Sequence, residues 1–340
     1  MTERCPEDKI IEEMKQSVSF SGFPFQKQIE KMLLDDELND SNYYPYQTEC
    51  PVDIPIDLLY KNVIPPSIDI LLKNRDKIFY HADIELRIPI ECKKTYKTRW
   101  IFIAKSSGHH YTNTEFPIFG LIHAPNGEKK EPIVTSTFQE IEQLLDSDIP
   151  VCINGMEYSF GSKERGHTKR EEGGRAIISG TGRLAIASFF LLNQKKDLLM
   201  SERSLINRYF QLIIPVLVTN SKLYIVDSDT MTFDFDEDKC SQDSIHLVDV
   251  PWLVYEQSIP PSLVPQEIKQ YIGVEIQPDR LTKIGVFVVN SSHLIDFLKL
   301  LDFRKIIEGP FKNSILNNGV TDFSEVINSI DRDILFRRFF

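Results

Sequence analysis

Apolar and polar positions alternate along this chain with two different periods. Over residues 23–38, Phe25, Ile29, Met32 and Leu33 recur at helical spacing, with Gln26, Lys27 and Glu30 off that face. The pattern predicts an amphipathic helix, entered through Ser21-Gly22 with Pro24 in its first turn. From Asn42 to Pro66 the chain is rich in Pro and Tyr, which suits an edge strand or irregular loop. Ser67-Ile68-Asp69-Ile70-Leu71-Leu72 reads as a short strand ended by the turn-prone Lys73-Asn74-Arg75-Asp76. Leu86 to Lys93 alternates around Leu86, Ile88 and Ile90 and reads as a second strand, and Trp100 to Ala104 as a buried third.

The pattern is looser beyond this point. Residues 105–135 read as loop-rich, and Thr137 to Leu145 as a helix with the capping box Thr137-x-x-Glu140. Gly155 to Gly182 is polar, glycine-rich and locally basic. Arg183 to Asn193 reads as helical, as does about Ser201 to Gln211. Ile213 to Asn220 and Lys222 to Asp227 predict a buried hairpin turning at Asn220-Ser221. Ile284 to Val289 is a strand, and Ser291 or Ser292 caps a helix from His293 to Leu301. This order of elements predicts an α/β fold with a mixed central sheet flanked by helices. No linker or repeat divides the chain, so it reads as a single elaborated domain over 1–340, with a core at about 20–104 and 201–301 and a sizeable insertion at about 105–200.

Composition narrows the function. At 340 residues, 41% hydrophobic and 26% charged, the chain can bury a core without staples. Its net charge of −11 argues against coating nucleic acid by bulk attraction, although a local basic patch can still steer a phosphate. Five scattered cysteines with no CxxC pair argue against a zinc knuckle and against a disulfide framework, and fit a reducing compartment. The polar N-terminus and the absence of a long apolar run lead us to expect a cytoplasmic protein without membrane contact.

The chemistry gathers around Glu91 and Lys93. On a strand, residues two apart share a face, so both point one way and Cys92 points into the core. The Cys92 carbonyl lies between them as a further oxygen ligand. A second carboxylate is needed for a metal-assisted phosphodiesterase, because magnesium takes oxygen ligands, typically one or two carboxylates with waters and substrate phosphate. Asp83 is near in sequence, but eight residues of continuous strand span about 26 Å. Asp69 is better placed, on its own apolar strand with room for a hairpin before Glu91; adjacent strands lie about 4.8 Å apart.

Asp69-x21-Glu91-Cys92-Lys93 resembles the bipartite motif of the PD-(D/E)XK, or restriction-endonuclease-like, nuclease superfamily. Gly22-Phe23-Pro24-Phe25, Ser67-Ile68-Asp69-Ile70-Leu71, Ile88-Pro89-Ile90-Glu91-Cys92-Lys93-Lys94, Trp100 and Ile214-Pro215-Val216-Leu217-Val218-Thr219-Asn220 followed by Leu223-Tyr224 are similar, in that order, to segments of an uncharacterised bacterial branch. The resemblance implies a restriction-endonuclease-like sheet and an Mg²⁺- or Mn²⁺-dependent endonuclease acting on DNA, with RNA as the other substrate. Asp69, Glu91 and the Cys92 backbone carbonyl would hold the metal, and Lys93 would assist the water or the phosphate. A homodimer would suit cutting of both strands. The branch usually carries Glu where this chain has Gln26; Gln supplies no negative charge, although its oxygen can orient a water, and Glu30 lies one turn on. The alternative is a catalytically inert nuclease-fold protein that binds nucleic acid or a partner protein.

Other candidates have bland readings beside the sharp ones. Lys94 faces either solvent or a phosphate. Lys163, Arg165, His167, Lys169, Arg170, Arg175 and Arg183 among glycines suit either a phosphate-contacting loop or a solvated one diluted by Glu164, Glu171 and Glu172. Gly180-Thr181-Gly182 lacks the lysine of a phosphate-binding loop. His109 and His110 read as loop residues, and Asp83 and Glu85 as surface residues.

Overall fold

The computed structural model describes residues 6–34, 43–51, 67–74, 83–96, 98–105, 115–123, 129–130, 133–137, 149–159, 175–194, 208–234, 239–259 and 283–301. Helices α1 (Pro6–Phe20) and α2 (Phe23–Leu34) precede strands β1 (Tyr43–Pro51), β2 (Ser67–Asn74), β3 (Asp83–Lys93), β4 (Thr98–Ala104), β5 (Glu115–His123), β6 (Lys129–Lys130), β7 (Ile133–Thr137) and β8 (Val151–Ser159). Helix α3 (Arg175–Gln194) leads to β9 (Arg208–Ile213), β10 (Val216–Thr219), β11 (Lys222–Asp227), β12 (Phe233–Asp234), β13 (Lys239–Cys240), β14 (Leu247–Val250), β15 (Trp252–Ser258) and β16 (Lys283–Asn290), and α4 (Leu294–Leu300) follows.

The fold is mixed α/β, with one large sheet of mixed orientation. β1 pairs antiparallel with β2, and β2 with β3. β9 and β10 both run parallel to β3 and are separated only by Ile214-Pro215. β16 is parallel to β10 and antiparallel to β15, and the sheet continues through β8, β4 and β11 to β14. Two parallel neighbours, β3 and β10, each run through a short connection into β4 and β11, which are again parallel neighbours. A two-stranded ribbon therefore turns a corner as a unit. Asn220 holds that corner: its Oδ1 accepts from Thr95 N at 2.7 Å, and its Nδ2 donates to Thr95 O at 3.0 Å. Ser221 Oγ donates to Thr98 O at 2.8 Å.

Each face of the sheet buries its own core. Leu86, Ile88, Ile90 and Cys92 of β3 join Phe25, Ile29 and Leu33 of α2 and Phe297 of α4 on one side. Trp100 and Phe102 of β4, Leu217 of β10 and Val286 and Val288 of β16 pack against α3 on the other. Opposite charges hold the two ends of α3. Glu157 Oε1 of β8 accepts from the backbone N–H of Ala176 at 2.8 Å, where the helix dipole is positive. Arg87 Nη1 and Gln211 Nε2 reach Leu191 O near the other end, at 3.5 and 3.3 Å.

Several elements differ from the sequence reading. Residues 105–135, expected to be loop-rich, carry β5, β6 and β7; Pro117 and Gly120 lie inside β5 opposite Thr135 and Phe210. Thr137 ends β7, and the rest of the helix expected to Leu145 lies outside the described residues. The polar stretch from Gly155 contains most of β8, and α3 starts at Arg175 rather than Arg183, because packing overrides the poor helix propensity of Gly180, Thr181 and Gly182. The described part of the helix expected at 201–211 is strand: β9 begins at Arg208. β10 and β11 form where expected but not as a hairpin; each pairs in parallel with a different partner. Neither serine caps α4: its N-cap is His293, which makes no side-chain cap bond, and Asn290 caps the 3-10 turn Ser291–His293 just before it, accepting from Ser292 N at 2.9 Å. The segment 105–200 contributes β5 and β8 to the central sheet and α3 to its core. Among the described residues, no helix is long and apolar enough to cross a membrane.

Candidate functional site

The antiparallel register of β2 and β3 places Ile70 opposite Ile90, so the next residues outward, Asp69 and Glu91, are neighbours across the strands. Alternation along β3 sends Ile90 and Cys92 into the α2 core and leaves Glu91 and Lys93 on the face beneath α3. Asp69 Oδ2 accepts from the backbone N–H of Cys92 at 2.7 Å, which ties the two strands together at the site. Glu91 is only 2% exposed, yet its Oε1 is held by two cations: Lys93 Nζ at 2.7 Å and Arg183 Nη1 at 3.3 Å. Burial and the nearby Glu91 charge push the Asp69 carboxyl up to about 6, against the lowering effect of the Cys92 N–H, Lys93 and Arg183.

Gln26, the α2 residue singled out in the sequence, reaches this place. It is buried, and its Nε2 donates to the Asp69 backbone carbonyl at 3.3 Å. Its amide therefore holds the backbone of the metal-ligand candidate. Glu30, one turn on, pairs through its Oε2 with Lys27 Nζ at 2.7 Å.

The site lies at the carboxyl ends of parallel strands. Lys93, Thr219 and Asn290 stand in register at the ends of β3, β10 and β16. In open α/β sheets, ligands bind outside the carboxyl ends of the strands. Close packing brings α3 over the same spot: a Cβ on Gly180 would lie 2.7 Å from Leu217 Cδ1 and 3.2 Å from Lys93 Cε.

Neither family models, curated proteins nor solved structures gave a match to this chain. The chemistry of the site therefore rests on its own geometry.

That geometry gathers Asp69, Glu91, Cys92, Lys93 and Gln26. Lys94 follows directly, half-buried at the end of β3. Arg175 is the first residue of α3, whereas Lys163, Arg165, Lys169 and Arg170 lie outside the described residues, as do His109 and His110. Asp83 opens the same continuous strand that ends at Lys93, eight residues before Glu91. Glu85 is not a surface residue: it is buried and pairs with Arg87 Nε at 2.7 Å and Lys73 Nζ at 3.3 Å.

The sequence pattern sets Arg183 at the end of a basic loop and at the start of a helix; the structure places it inside α3, against Glu91. The signal was present, since Ile177, Gly180, Thr181, Leu184, Ala187 and Leu191 keep helical period straight through the glycines.

The donor set suits a hard divalent cation. Asp69 Oδ1 and Glu91 Oε2 accept no hydrogen bond from the described residues, and burial, with the Glu91 charge adding to it, raises the Asp69 carboxyl. Among the described residues, no three or more His, Cys, Asp and Glu side chains form a metal cage. Magnesium does not require one, because it retains waters and takes phosphate oxygens alongside one or two carboxylates.

Proposed function

We propose that this protein is a metal-dependent phosphodiesterase, a hydrolase acting as an endonuclease on DNA, built on a restriction-endonuclease-like arrangement of β2, β3, α3 and β10. The observation that carries the reading is the juxtaposition of Asp69, Glu91 and Lys93 at the carboxyl end of β3, beside a helix that closes one side of the site. Asp69 and Glu91 would hold Mg²⁺ or Mn²⁺, with the Cys92 carbonyl as a third oxygen. When bound, such an ion lowers the pKa of a water and offsets charge on the phosphate.

The chain's own groups divide the remaining work. The Cys92 N–H and the Gln26 amide fix the side chain and backbone of Asp69. Lys93, 20% exposed, holds its ammonium on Glu91 facing the site, where it can position the attacking water or a non-bridging phosphate oxygen. Hydrolysis forms a bond from the water oxygen to phosphorus and breaks one phosphorus–oxygen ester bond; the water gives up a proton, and the departing oxygen gains one. RNA is the other substrate class with the same backbone chemistry, and a homodimer would allow both strands of a duplex to be cut.

A second reading, a nuclease-fold protein that binds nucleic acid or a partner without cutting, is favoured by Gln26, which donates an amide hydrogen where an acid would add negative charge. Metal-dependent cleavage by the purified protein, lost in Glu91→Gln, tests the first reading against the second.

A further inference from the structure

Arg183 occupies an unusual position for an exposed residue. Its side chain is 53% exposed, yet its Nη1 reaches the almost fully buried Glu91 Oε1 at 3.3 Å. Lys93 already holds that oxygen at 2.7 Å. Glu91 therefore has its close partner in Lys93, and the guanidinium sits outside that pair, between it and solvent. A guanidinium presents five donors in a rigid plane, and the Glu91 contact uses one Nη. The side chain is more than half exposed, and its other donors bond to none of the described residues.

The helix fixes this placement. Gly180 lets α3 approach β10 closely enough that Leu217 and the Lys93 stem lie against its backbone, and Arg183 follows three residues later on a neighbouring part of the same face. Thr181, fully buried, donates to Ile177 O at 2.8 Å and is paired with Gln257 Oε1 at 2.7 Å, which anchors the turn between them. Arg183 thus projects from a rigid element rather than a loop. Side-chain charges at the site balance, with Asp69 and Glu91 against Lys93 and Arg183, in a chain of net charge −11. A polyanion approaching such a protein needs a local, oriented cation, and planar bidentate donors suit a phosphodiester's two non-bridging oxygens.

We infer that Arg183 is a substrate-binding residue of this site, taking a backbone phosphate of the nucleic acid by its outward donors while one Nη stays on Glu91. This assignment rests on the proposed nuclease reading for the identity of the ligand, not for the geometry. It makes α3, rather than the basic stretch before it, the element that registers the strand on the metal pair.

The test measures equilibrium binding of a labelled oligonucleotide to full-length wild type, Arg183→Gln and Arg183→Lys in Ca²⁺ across a salt series, alongside cleavage kinetics in Mg²⁺. Arg183→Gln is expected to weaken binding roughly tenfold and to reduce the slope of log K against log salt by about one. Its KM should rise more than its kcat falls. Arg183→Lys should restore the slope but not all of the affinity, because charge returns without the fork. Unchanged affinity and slope in Arg183→Gln, with its melting temperature kept, would overturn the assignment even if wild type cuts DNA. Wild type that binds in this Arg183-dependent way without cutting would overturn the nuclease reading and leave the assignment standing. Wild type that binds no oligonucleotide would overturn both.

Discussion

The Asp69 carboxylate accepts a hydrogen bond from the backbone N–H of Cys92 at 2.7 Å, reaching across from β2 to the strand that carries Glu91 and Lys93. This bond makes Asp69 a part of the sheet as well as of the site. It holds one acid beside another in a half-buried place, and burial together with Glu91 raises the Asp69 carboxyl to about 6. The arrangement costs stability at neutral pH, and a divalent cation would relieve it.

The cost has a definite sign. Asp69 has a folded pKa of about 6, above the ordinary aspartate value near 3.9. Between those values the folded protein binds more protons than the unfolded chain, so this group's contribution to stability falls as pH rises from about 4 to about 6. Asp69→Asn keeps an oxygen for the Cys92 N–H and removes the charge. Relative to wild type, Asp69→Asn should gain about 2 kcal/mol between pH 4 and pH 7 without added metal. Urea melts of both proteins over that range check this; parallel curves would show that Asp69 is not strained.

Metal binding should show the opposite dependence. Saturating Mg²⁺ or Mn²⁺ should raise the melting temperature of wild type at pH 7, with about 2.7 kcal/mol expected at a hundredfold excess over Kd. The shift should shrink below pH 6 as Asp69 takes up its proton, and disappear in Asp69→Asn and Glu91→Gln. Differential scanning fluorimetry with EDTA controls reads it. An equal shift in all three proteins would place the metal elsewhere.

Two glycines in one helix should respond in opposite directions. A methyl group on Gly182 meets nothing within 4 Å, so Gly182→Ala should stabilise the protein by about 0.5–1 kcal/mol through helix propensity. A methyl group on Gly180 lies 2.7 Å from Cδ1 of the fully buried Leu217. Overpacking costs about 1–3 kcal/mol, which outweighs the propensity gain, and the displacement passes to Lys93. Gly180→Ala should therefore destabilise and also lower activity, and Leu217→Val in the same chain should recover part of both. Denaturant melts and activity assays of the three variants against wild type decide.

Arg87 supports the site from below. It is 3% exposed, pairs with the buried Glu85 and contacts a carbonyl near the end of α3. Removing it takes a cation 2.7 Å away from a buried carboxylate, so Arg87→Ala should cost about 3 kcal/mol. Chemical denaturation measures that loss. A change below about 0.5 kcal/mol, the range of ordinary surface substitutions, would show that the ion pair is not a support of the fold.

The sequence made the site legible because strand alternation is a strict rule. Glu91 and Lys93 had to share a face, and Asp69, on its own apolar strand with room for a hairpin, was the better-placed second acid; the β2–β3 register sets it beside them. The helix over the site was hidden by composition: Gly180-Thr181-Gly182 and the charged residues before them read as loop, although the apolar period runs through. Partner choice between strands was also hidden. A short turn at Asn220-Ser221 between two apolar strands predicts a hairpin, but Asn220 and Ser221 bond instead to Thr95 and Thr98, and the two strands part at a corner. Local spacing carries no information about such pairings, which tertiary contacts set.

The most direct test is cleavage of plasmid and single-stranded DNA by purified wild type, Glu91→Gln and Lys93→Gln, each shown to be folded, with Mg²⁺, with Mn²⁺ and with EDTA. The account predicts cutting by wild type that needs the metal, stops in EDTA and falls at least a hundredfold in either variant. Cutting that persists undiminished in both variants, or no cutting by wild type under any of these conditions, would contradict it.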